Sequence, residues 1–267
     1  MGGWFHGLLS MRSPSRLPAD VLPGHRRHPL GLLPAEVEGC LTSHYAAALE
    51  LVPHPVPGRD RLLELGAGHC EIARVLRRQG WQVHTADLRE ERVAEATALG
   101  FPATRLDLNE GLAFPDGAFD LVVMLEVIEH VVRAERALGE IWRVLSPGGR
   151  LLLSTPNHAF YKSRMRALKG RPLGMEGEHY RFFVKVQLES LLATAGFRIV
   201  GRNSSGHLPL LDGRWVRKLL RRKRVLCRIP ERLESFCAIN FVWLVDRPGV
   251  NAEKSGERSV SPTGPGG

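Results

Sequence analysis

The stretch "LLELGAGHCE", residues 62–71, is an apolar run that carries Glu64, turns on Gly66 and Gly68, and then meets a second acid. A turn of this kind between a strand and a helix brings backbone amides up to a nucleotide. A dinucleotide-binding G-x-G-x-x-G motif would place its third glycine at position 71, where this chain has Glu71. The pattern is therefore E-x-G-x-G, and Asp87 closes the next apolar run.

The chain from Arg61 to Asp246 alternates short apolar runs with amphipathic stretches, which predicts βαβ units and a parallel sheet. Predicted strands cover 61–66, 82–87, 102–107, 119–125, 149–155, 197–202 and 240–246. Predicted helices fall near 36–52, 70–79, 89–99, 129–145 and 185–195. Two segments interrupt this rhythm, 156–182 and 204–236. The first leaves from the carboxyl edge of a strand, where α/β sheets bind ligands, so we expect it to act as a substrate lid.

The net charge of +9 over 267 residues is concentrated in these two insertions. Between positions 162 and 228 the chain carries seventeen Lys or Arg against four Asp or Glu, a local net charge of +13. An anionic partner is compatible with such a charge, whether nucleic acid, a membrane surface or a phosphorylated substrate. Charge alone does not choose among them.

Cysteine spacing and hydropathy indicate the cellular compartment in which we expect the protein. Four cysteines at 40, 70, 227 and 237 show neither a C-x-x-C pair nor metal-ligand spacing, which indicates buried free thiols in a reducing compartment. No stretch approaches the roughly eighteen apolar residues that a membrane span requires. We expect a cytoplasmic protein.

Three further blocks extend the pattern beyond the glycine turn: "FPDGAFDLVVMLEVIEHV" (114–131), "IWRVLSPGGRLLLSTPN" (141–157) and "HYRFFVKVQLESLLATAGFRIV" (179–200). With the E-x-G-x-G turn they resemble, in order and spacing, the class I S-adenosylmethionine-dependent methyltransferases. The resemblance covers roughly residues 40–246. One departure is Cys70, which stands where many members have a third glycine. A cysteine is small enough for the first helical turn, so we expect cofactor binding to survive.

The resemblance implies an α/β fold, a Rossmann-like doubly wound, seven-stranded and mostly parallel sheet with helices on both faces. The methyltransferase domain would occupy residues 39–249, with the two insertions inside it. Residues 1–38 are predicted to form an irregular arm and residues 250–267 a disordered tail, on composition.

The resemblance also implies which residues bind S-adenosylmethionine. In the family, the turn matching Gly66-Ala67-Gly68 passes under the methionine part of the cofactor, the acid matching Asp87 holds both ribose hydroxyls, and the acid matching Asp107 meets the adenine amino group. Glu64 is interpreted as an acid behind the turn, near a cationic ligand, or as an acceptor that orders the loop. The remaining predicted cofactor contacts are Leu88, Leu108, Leu125 and Glu126.

Candidate catalytic residues follow from the chemistry of methyl transfer. If the acceptor is a hydroxyl, a base must take its proton, and histidine is the usual choice near neutral pH. His130, from "EVIEHV", and His179, beside Tyr180, are the candidates; each could instead contact cofactor or substrate without proton transfer. Glu126, Glu129 and His130 are also close enough in sequence to share a divalent ion, although our prediction is a site without metal.

The acceptor remains open at the level of sequence. The "EVIEHV" and "STPN" blocks resemble the O-methyltransferases of ubiquinone biosynthesis, which implies oxygen of a small-molecule, lipid-linked or glycan acceptor. Residues 214–224, "RWVRKLLRRKR", have the pattern of a basic amphipathic helix that could associate weakly with an anionic membrane surface, or pack on the domain. Nucleic acid is the less favoured partner, because recognisable RNA-binding modules are absent. An RNA or protein methyltransferase and a non-catalytic cofactor-binding scaffold are the alternatives.

Overall fold

The computed structural model of the chain describes residues 43–171, 179–209 and 227–249. Within them a single mixed sheet runs in the order β3-β2-β1-β4-β5-β9-β7-β8, and β6 also pairs with β9. The strands are β1 (Arg61–Leu65), β2 (Gln82–Asp87), β3 (Ala103–Arg105), β4 (Phe119–Leu125), β5 (Leu145–Pro156), β6 (Arg198–Arg202), β7 (Ser205–Gly206), β8 (Cys227–Arg228) and β9 (Ala238–Asp246). The strands from β3 to β5 are parallel, and β9 runs antiparallel to β5.

Helices connect these strands. The α-helices of the described residues are α1 (Ser43–Leu49), α2 (Glu71–Arg78), α3 (Glu90–Ala98), α4 (Ala134–Val144), α5 (Tyr161–Leu168), α6 (Lys185–Thr194) and α7 (Glu231–Cys237). A single 3-10 turn, Ile128–His130, follows β4. None of the helices in the described ranges is long and apolar enough to span a bilayer.

The central strands are apolar because helices cover both faces of the sheet. Every residue of β4 is buried, and successive side chains alternate between two core clusters. Val122 and Met124 pack with α4 and α6, whereas Leu121 and Val123 pack with α1 and α2. Near-continuous apolar runs are expected of strands buried on both faces. The doubly wound α/β fold is thereby confirmed.

The predicted elements and the observed ones agree in the core and differ at the insertions. All seven predicted strands are present, and the two-residue strands β7 and β8 extend the sheet beyond them. The insertions contribute α5 and α7, which the sequence pattern does not predict. Two cysteines, Cys70 and Cys237, are free and buried, as predicted. The arm (1–38), the tail (250–267) and the basic stretch 214–224 lie outside the described residues.

A buried carboxylate ties the second insertion to the sheet. Glu234 on α7 is 1% exposed and accepts hydrogen bonds from the Ser204 hydroxyl, from Trp243 Nε1 at 2.7 Å and from Arg202 Nη1 at 3.0 Å. The ammonium nitrogen of Lys185 lies 3.6 Å from its Oε2. These donors all converge on a single acceptor, so α7, α6 and β9 are held together by one side chain.

We therefore expect Glu234→Gln to lower the free energy of unfolding by about 1 to 3 kcal/mol, because the amide keeps one accepting oxygen and turns an NH2 group toward buried donors, while Arg202 and Lys185 keep Glu189 and Glu231 as partners. Urea denaturation followed by tryptophan fluorescence measures it. The matched control is Glu231→Gln, whose side chain is 64% exposed and should contribute less than about 1 kcal/mol. Equal effects in the two variants would contradict the assignment.

Candidate active site

A cleft of about 640 Å³ opens at the carboxyl ends of β1, β2 and β4. It lies where the strand order reverses, because β2 and β3 extend to one side of β1 while β4 and β5 extend to the other. Ligands of open α/β sheets bind at this switch point. Eight predicted site residues line the cleft: Gly66, Gly68, Asp87, Leu88, Asp107, Leu108, Glu126 and His130.

The glycine turn after β1 needs its two glycines for different reasons. Both have positive φ, 71° at Gly66 and 54° at Gly68. A Cβ added to Gly66 would overlap the side chain of Val127, whereas one added to Gly68 would meet nothing within 4 Å. Gly66 is thus required by packing against the loop after β4. Gly68 lines the cleft without a side chain, so a ligand can approach its backbone closely.

Cys70, the residue that departs from the family pattern, adopts a backbone conformation that glycine would adopt more easily. It has φ 60°, a left-handed conformation that strongly favours glycine, and it is fully buried at the start of α2. Burial, helped by nearby carboxylates that include Glu64, raises the pKa of its thiol to about 11. Cys70 is therefore a packed, strained structural residue with an unreactive thiol.

The two acids predicted to hold the nucleoside lie at the cleft wall. Asp87 accepts hydrogen bonds from the Gly68 amide at 3.2 Å and from the Arg89 amide at 3.0 Å, one on each oxygen. Asp107 accepts two bonds on Oδ1, from the backbone and side-chain nitrogens of Asn109 at 2.8 and 2.9 Å. Both carboxylates are held in place by backbone, and hydroxyl or amino groups of a ligand could bond to them.

Four predicted site residues lie within the described ranges but outside the cleft wall: Glu64, Ala67, Leu125 and His179. Glu64 is 5% exposed on β1, and burial raises its pKa to about 8, with Glu71 and Asp87 adding to the effect. Its Oε2 has no hydrogen-bond partner among the described residues. The position of Glu64 behind the glycine turn agrees with the interpretation of an acid that is removed from direct contact. The cofactor-binding role of Glu64 stays a prediction, and so do the roles of Ala67, Leu125 and His179.

Glu126 is the most constrained residue of the cleft. It has φ 55°, which is uncommon for a residue other than glycine and is typical of functional sites. Its two oxygens accept from Ser154 Oγ at 2.6 Å and from Asn240 Nδ2 at 2.7 Å. Burial raises its pKa, and the neighbouring Glu129, itself 1% exposed, raises it further. Glu126 therefore presents a fixed carboxyl group whose raised pKa favours the neutral form, although its hydrogen bonds and the charge of nearby His130 offset part of the effect.

The two predicted catalytic histidines meet in space. His130 lines the cleft from the 3-10 turn, and its ring centroid lies 4.7 Å from that of His179. Burial, and secondarily the charge of His130, lower the pKa of His179. Tyr180 lines the cleft and donates its amide to the Glu129 carbonyl at 2.9 Å. His130 is thus placed to reach a substrate, with His179 directly behind it.

A metal ion could be held beside the cleft. Ligand atoms of Glu129, His130 and His179 all lie within 4.8 Å of one another. Two imidazoles and one carboxylate form a ligand set found in catalytic zinc sites. The sequence grouped Glu126 with Glu129 and His130; the structure instead brings in His179, since both oxygens of Glu126 are engaged by Ser154 and Asn240.

Several contributors could not be found from motifs. Ser154 and Asn240 hold Glu126, and Asn109 orders Asp107. Ser154 lies in the quoted "STPN" block, but nothing near Asn240 in sequence signals a role. Its position follows from the antiparallel register of β5 and β9, in which Pro156 faces Asn240.

Comparison with known proteins agrees with this geometry. A methyltransferase domain model matches residues 41–201. A protein of Mycolicibacterium smegmatis, named probable S-adenosylmethionine-dependent methyltransferase, is 35% identical over 190 residues, which are 70% of this chain and 67% of that protein. A demethylmenaquinone methyltransferase of Thermus thermophilus is 30% identical, over 57% of this chain and 80% of its own length.

Further relatives share the fold or parts of the chain. A ubiquinone biosynthesis O-methyltransferase of Rhizobium rhizogenes is 28% identical, over 58% of this chain and 66% of its own length. The crystal structure of an S-adenosylmethionine-dependent methyltransferase from Archaeoglobus fulgidus superposes with a TM-score of 0.56 at 17% identity, covering 76% of this chain and 92% of that one. At that identity the structural likeness concerns the fold alone.

The described residues fit S-adenosylmethionine: Gly68 leaves its Cβ direction open, Asp87 and Asp107 offer carboxylates, and Leu88 and Leu108 supply an apolar wall.

We expect Asp87→Ala to weaken cofactor binding at least about tenfold, since two charge-assisted hydrogen bonds of roughly 1.5–3 kcal/mol each are lost. Isothermal titration calorimetry measures it. Asp246→Ala is the matched control, because Asp246 ends β9 at the opposite edge of the sheet. Unchanged affinity in a folded Asp87→Ala protein would contradict the site.

Glu64 makes stability depend on pH. Its raised pKa means that between about pH 4.5 and 8 the folded state retains a proton that the unfolded state releases, so stability falls as the pH rises through this window. The contribution of Glu64 to the slope of the unfolding free energy against pH is at most about 1.4 kcal/mol per pH unit, and Glu64→Gln should remove that contribution. The stability of Glu64→Gln relative to wild type should therefore rise by roughly 2 to 3 kcal/mol from pH 6 to 8 in urea denaturation. Glu90→Gln, at a side chain that is 83% exposed, is the control and should show the same dependence of stability on pH as wild type. If Glu64→Gln also showed the wild-type dependence, the raised pKa of a buried Glu64 would be contradicted.

Proposed function

The chain belongs to the S-adenosylmethionine-dependent methyltransferase family, and from that premise we propose that it transfers the methyl group to an oxygen of a small-molecule, lipid-linked or glycan acceptor. The observation that carries the proposal is the placement of His130 in the wall of the cleft, beside Glu126 and in contact with His179. A hydroxyl acceptor requires such a base, whereas a neutral amine can attack with its lone pair before it loses a proton.

The cofactor supplies an electrophilic methyl group on a sulfonium centre, and the residues of the chain position the acceptor against it. Methyl transfer is an in-line displacement, so most of the rate enhancement comes from orientation. His130 takes the hydroxyl proton at an imidazole nitrogen as the oxygen approaches. Glu126 lines the same cleft with a carboxyl group fixed by Ser154 and Asn240.

The names of the relatives support the class of acceptor without fixing the atom. One relative is a ubiquinone biosynthesis O-methyltransferase and another is a demethylmenaquinone methyltransferase. Other relatives are named ubiquinone/menaquinone biosynthesis C-methyltransferases, so the names include both oxygen and carbon as the acceptor atom. An association with anionic membranes through residues 214–224 remains part of the proposal, although those residues lie outside the described ranges.

The acceptor and the acceptor atom can be identified together. The protein is incubated with S-adenosylmethionine carrying a ¹³C-methyl group and with cell extract fractionated into lipid, small-molecule, RNA and protein pools. The proposal predicts label in the lipid or small-molecule pool, at a carbon chemical shift typical of a methoxy group. Label in RNA or protein, or at a carbon-bound methyl, would contradict it, and the Asp87→Ala protein is the blank.

We expect His130→Ala to lower kcat by about 10² to 10⁴-fold while cofactor affinity stays within about twofold, since a general base acts on the acceptor proton. The matched control is His84→Gln, a histidine of β2 outside the cleft wall, which should keep wild-type kcat. Single-turnover kinetics with the acceptor fraction measures the chemical step.

A chelator distinguishes the base from a metal ligand. If His130 acts as a base, EDTA leaves kcat unchanged. Loss of activity with EDTA, its return with Zn²⁺ or Mg²⁺, and an equal loss in His179→Ala would assign a metal to Glu129, His130 and His179 and overturn the base role.

A further inference from the structure

Helix α5 has no buried residue along its eight positions, unlike the amphipathic helices that flank the sheet. Met165 is 49% exposed and Leu168 is 81% exposed. Tyr161, Met165 and Leu168 follow the i, i+4, i+7 spacing of one helix face. An apolar stripe on a helix normally packs against something; Tyr161 contacts the ring of Phe236, whereas Met165 and Leu168 stay exposed among the described residues.

Helix α7 continues this surface. The rings of Tyr161 and Phe236 lie 5.7 Å apart, which brings the start of α5 against the end of α7. Leu233 and Phe236 of α7 are 37% and 45% exposed. We call the surface formed by Met165, Leu168, Leu233 and Phe236 the α5–α7 face.

The α5–α7 face is surrounded by positive charge. The chain from 158 to 171 contains no Asp or Glu, and five basic residues lie on or next to α5: Lys162, Arg164, Arg166, Lys169 and Arg171. On α7, the carboxylate of Glu234 is buried in its ion-pair network, and Glu231 lies 3.3 Å from Arg202 Nε. Exposed aliphatic side chains within a basic border are the pattern of a helix that lies in a bilayer interface.

The α5–α7 face lies at the same edge of the sheet as the cleft. α5 follows the carboxyl end of β5, which is parallel to β4. α7 precedes β9, and Pro156 at the end of β5 faces Asn240 near the start of β9. The chain also leaves the described residues at position 209 and returns at position 227, and the stretch between carries seven further basic residues against one acid.

We propose that the α5–α7 face docks the protein on an anionic lipid bilayer, with its aliphatic side chains in the headgroup–acyl boundary and its basic side chains on lipid phosphates. Nucleic acid would use the positive charge and leave Met165, Leu168 and Leu233 in water. A second copy of the chain would bring two basic surfaces together, which charge repulsion opposes.

Vesicle flotation tests the proposal with the full chain. Vesicles of phosphatidylcholine alone are compared with vesicles containing phosphatidylglycerol. We expect wild type to bind only the anionic vesicles, with an affinity that falls as salt is raised. The variant Met165→Glu with Leu168→Glu should bind at least about tenfold more weakly, because it removes two inserted apolar side chains.

A matched control uses an exposed apolar residue elsewhere. Val56 is 51% exposed and pairs with Arg59, whose guanidinium reaches Ser146 and Pro147 at the start of β5, so it lies at the opposite edge of the sheet and Val56→Glu should float as wild type does. Lys162→Gln with Arg166→Gln and Lys169→Gln should weaken binding while flattening its salt dependence. Thermal unfolding and cofactor titration confirm that each variant is folded.

Three results would overturn the proposal. Wild type that fails to float with anionic vesicles at physiological salt is the first. The second is loss of binding when Arg217, Lys218, Arg221 and Arg222 are changed to Gln while Met165→Glu with Leu168→Glu floats as wild type. The third is a wild-type protein that binds no vesicles and is a dimer in light scattering, while Met165→Glu with Leu168→Glu is a monomer. Flotation requires no methyl acceptor, so its outcome is independent of whether the proposed methylation occurs.

Discussion

The parallel pairing of β1 with β4 is the constraint on which the site depends. Leu62 to Leu65 face Leu121 to Met124 residue by residue, and both runs are buried on both faces of the sheet. Because parallel strands end at one edge, the glycine turn after β1 and the loop after β4 emerge side by side. The side chain of Val127 then fills the space that a Cβ at Gly66 would need. The turn and the carboxyl of Glu126 are therefore fixed by the same core that stabilises the fold.

That edge also concentrates buried acids around the cleft. Glu64 lies behind the glycine turn, while Glu126 and Glu129 follow β4, and burial raises the pKa of all three. A carboxyl group that holds its proton while isolated can ionise when a cation arrives, since an opposite charge favours the charged form. Acids in this state suit a ligand that carries a sulfonium and an ammonium group. A neutral ligand of the same shape would gain less from them.

Local motifs predicted those parts of the site that local sequence determines. Gly66, Gly68 and Asp87 could be placed because each ends a predicted strand or forms the turn that follows it. The contact of His130 with His179 and the bond from Asn240 to Glu126 join residues far apart in sequence, 114 positions in the latter case. They follow from strand order and register, which periodicity does not specify. The left-handed conformation of Cys70 escapes prediction for a different reason, since the size of a side chain says whether it fits and does not specify the backbone φ.

The insertions show where the chain is free to specialise. Sheet and turn must satisfy one cofactor, so their residues are tied by burial, by positive φ and by hydrogen bonds to backbone. α5 is tied less tightly within the described chain: it has no buried residue, yet it emerges at the same edge as His130. A helix that contributes so little to the core is not explained by stability of the fold. Its apolar stripe and basic border are instead what a surface needs if the acceptor has to be met at an interface and delivered to the cleft beside it.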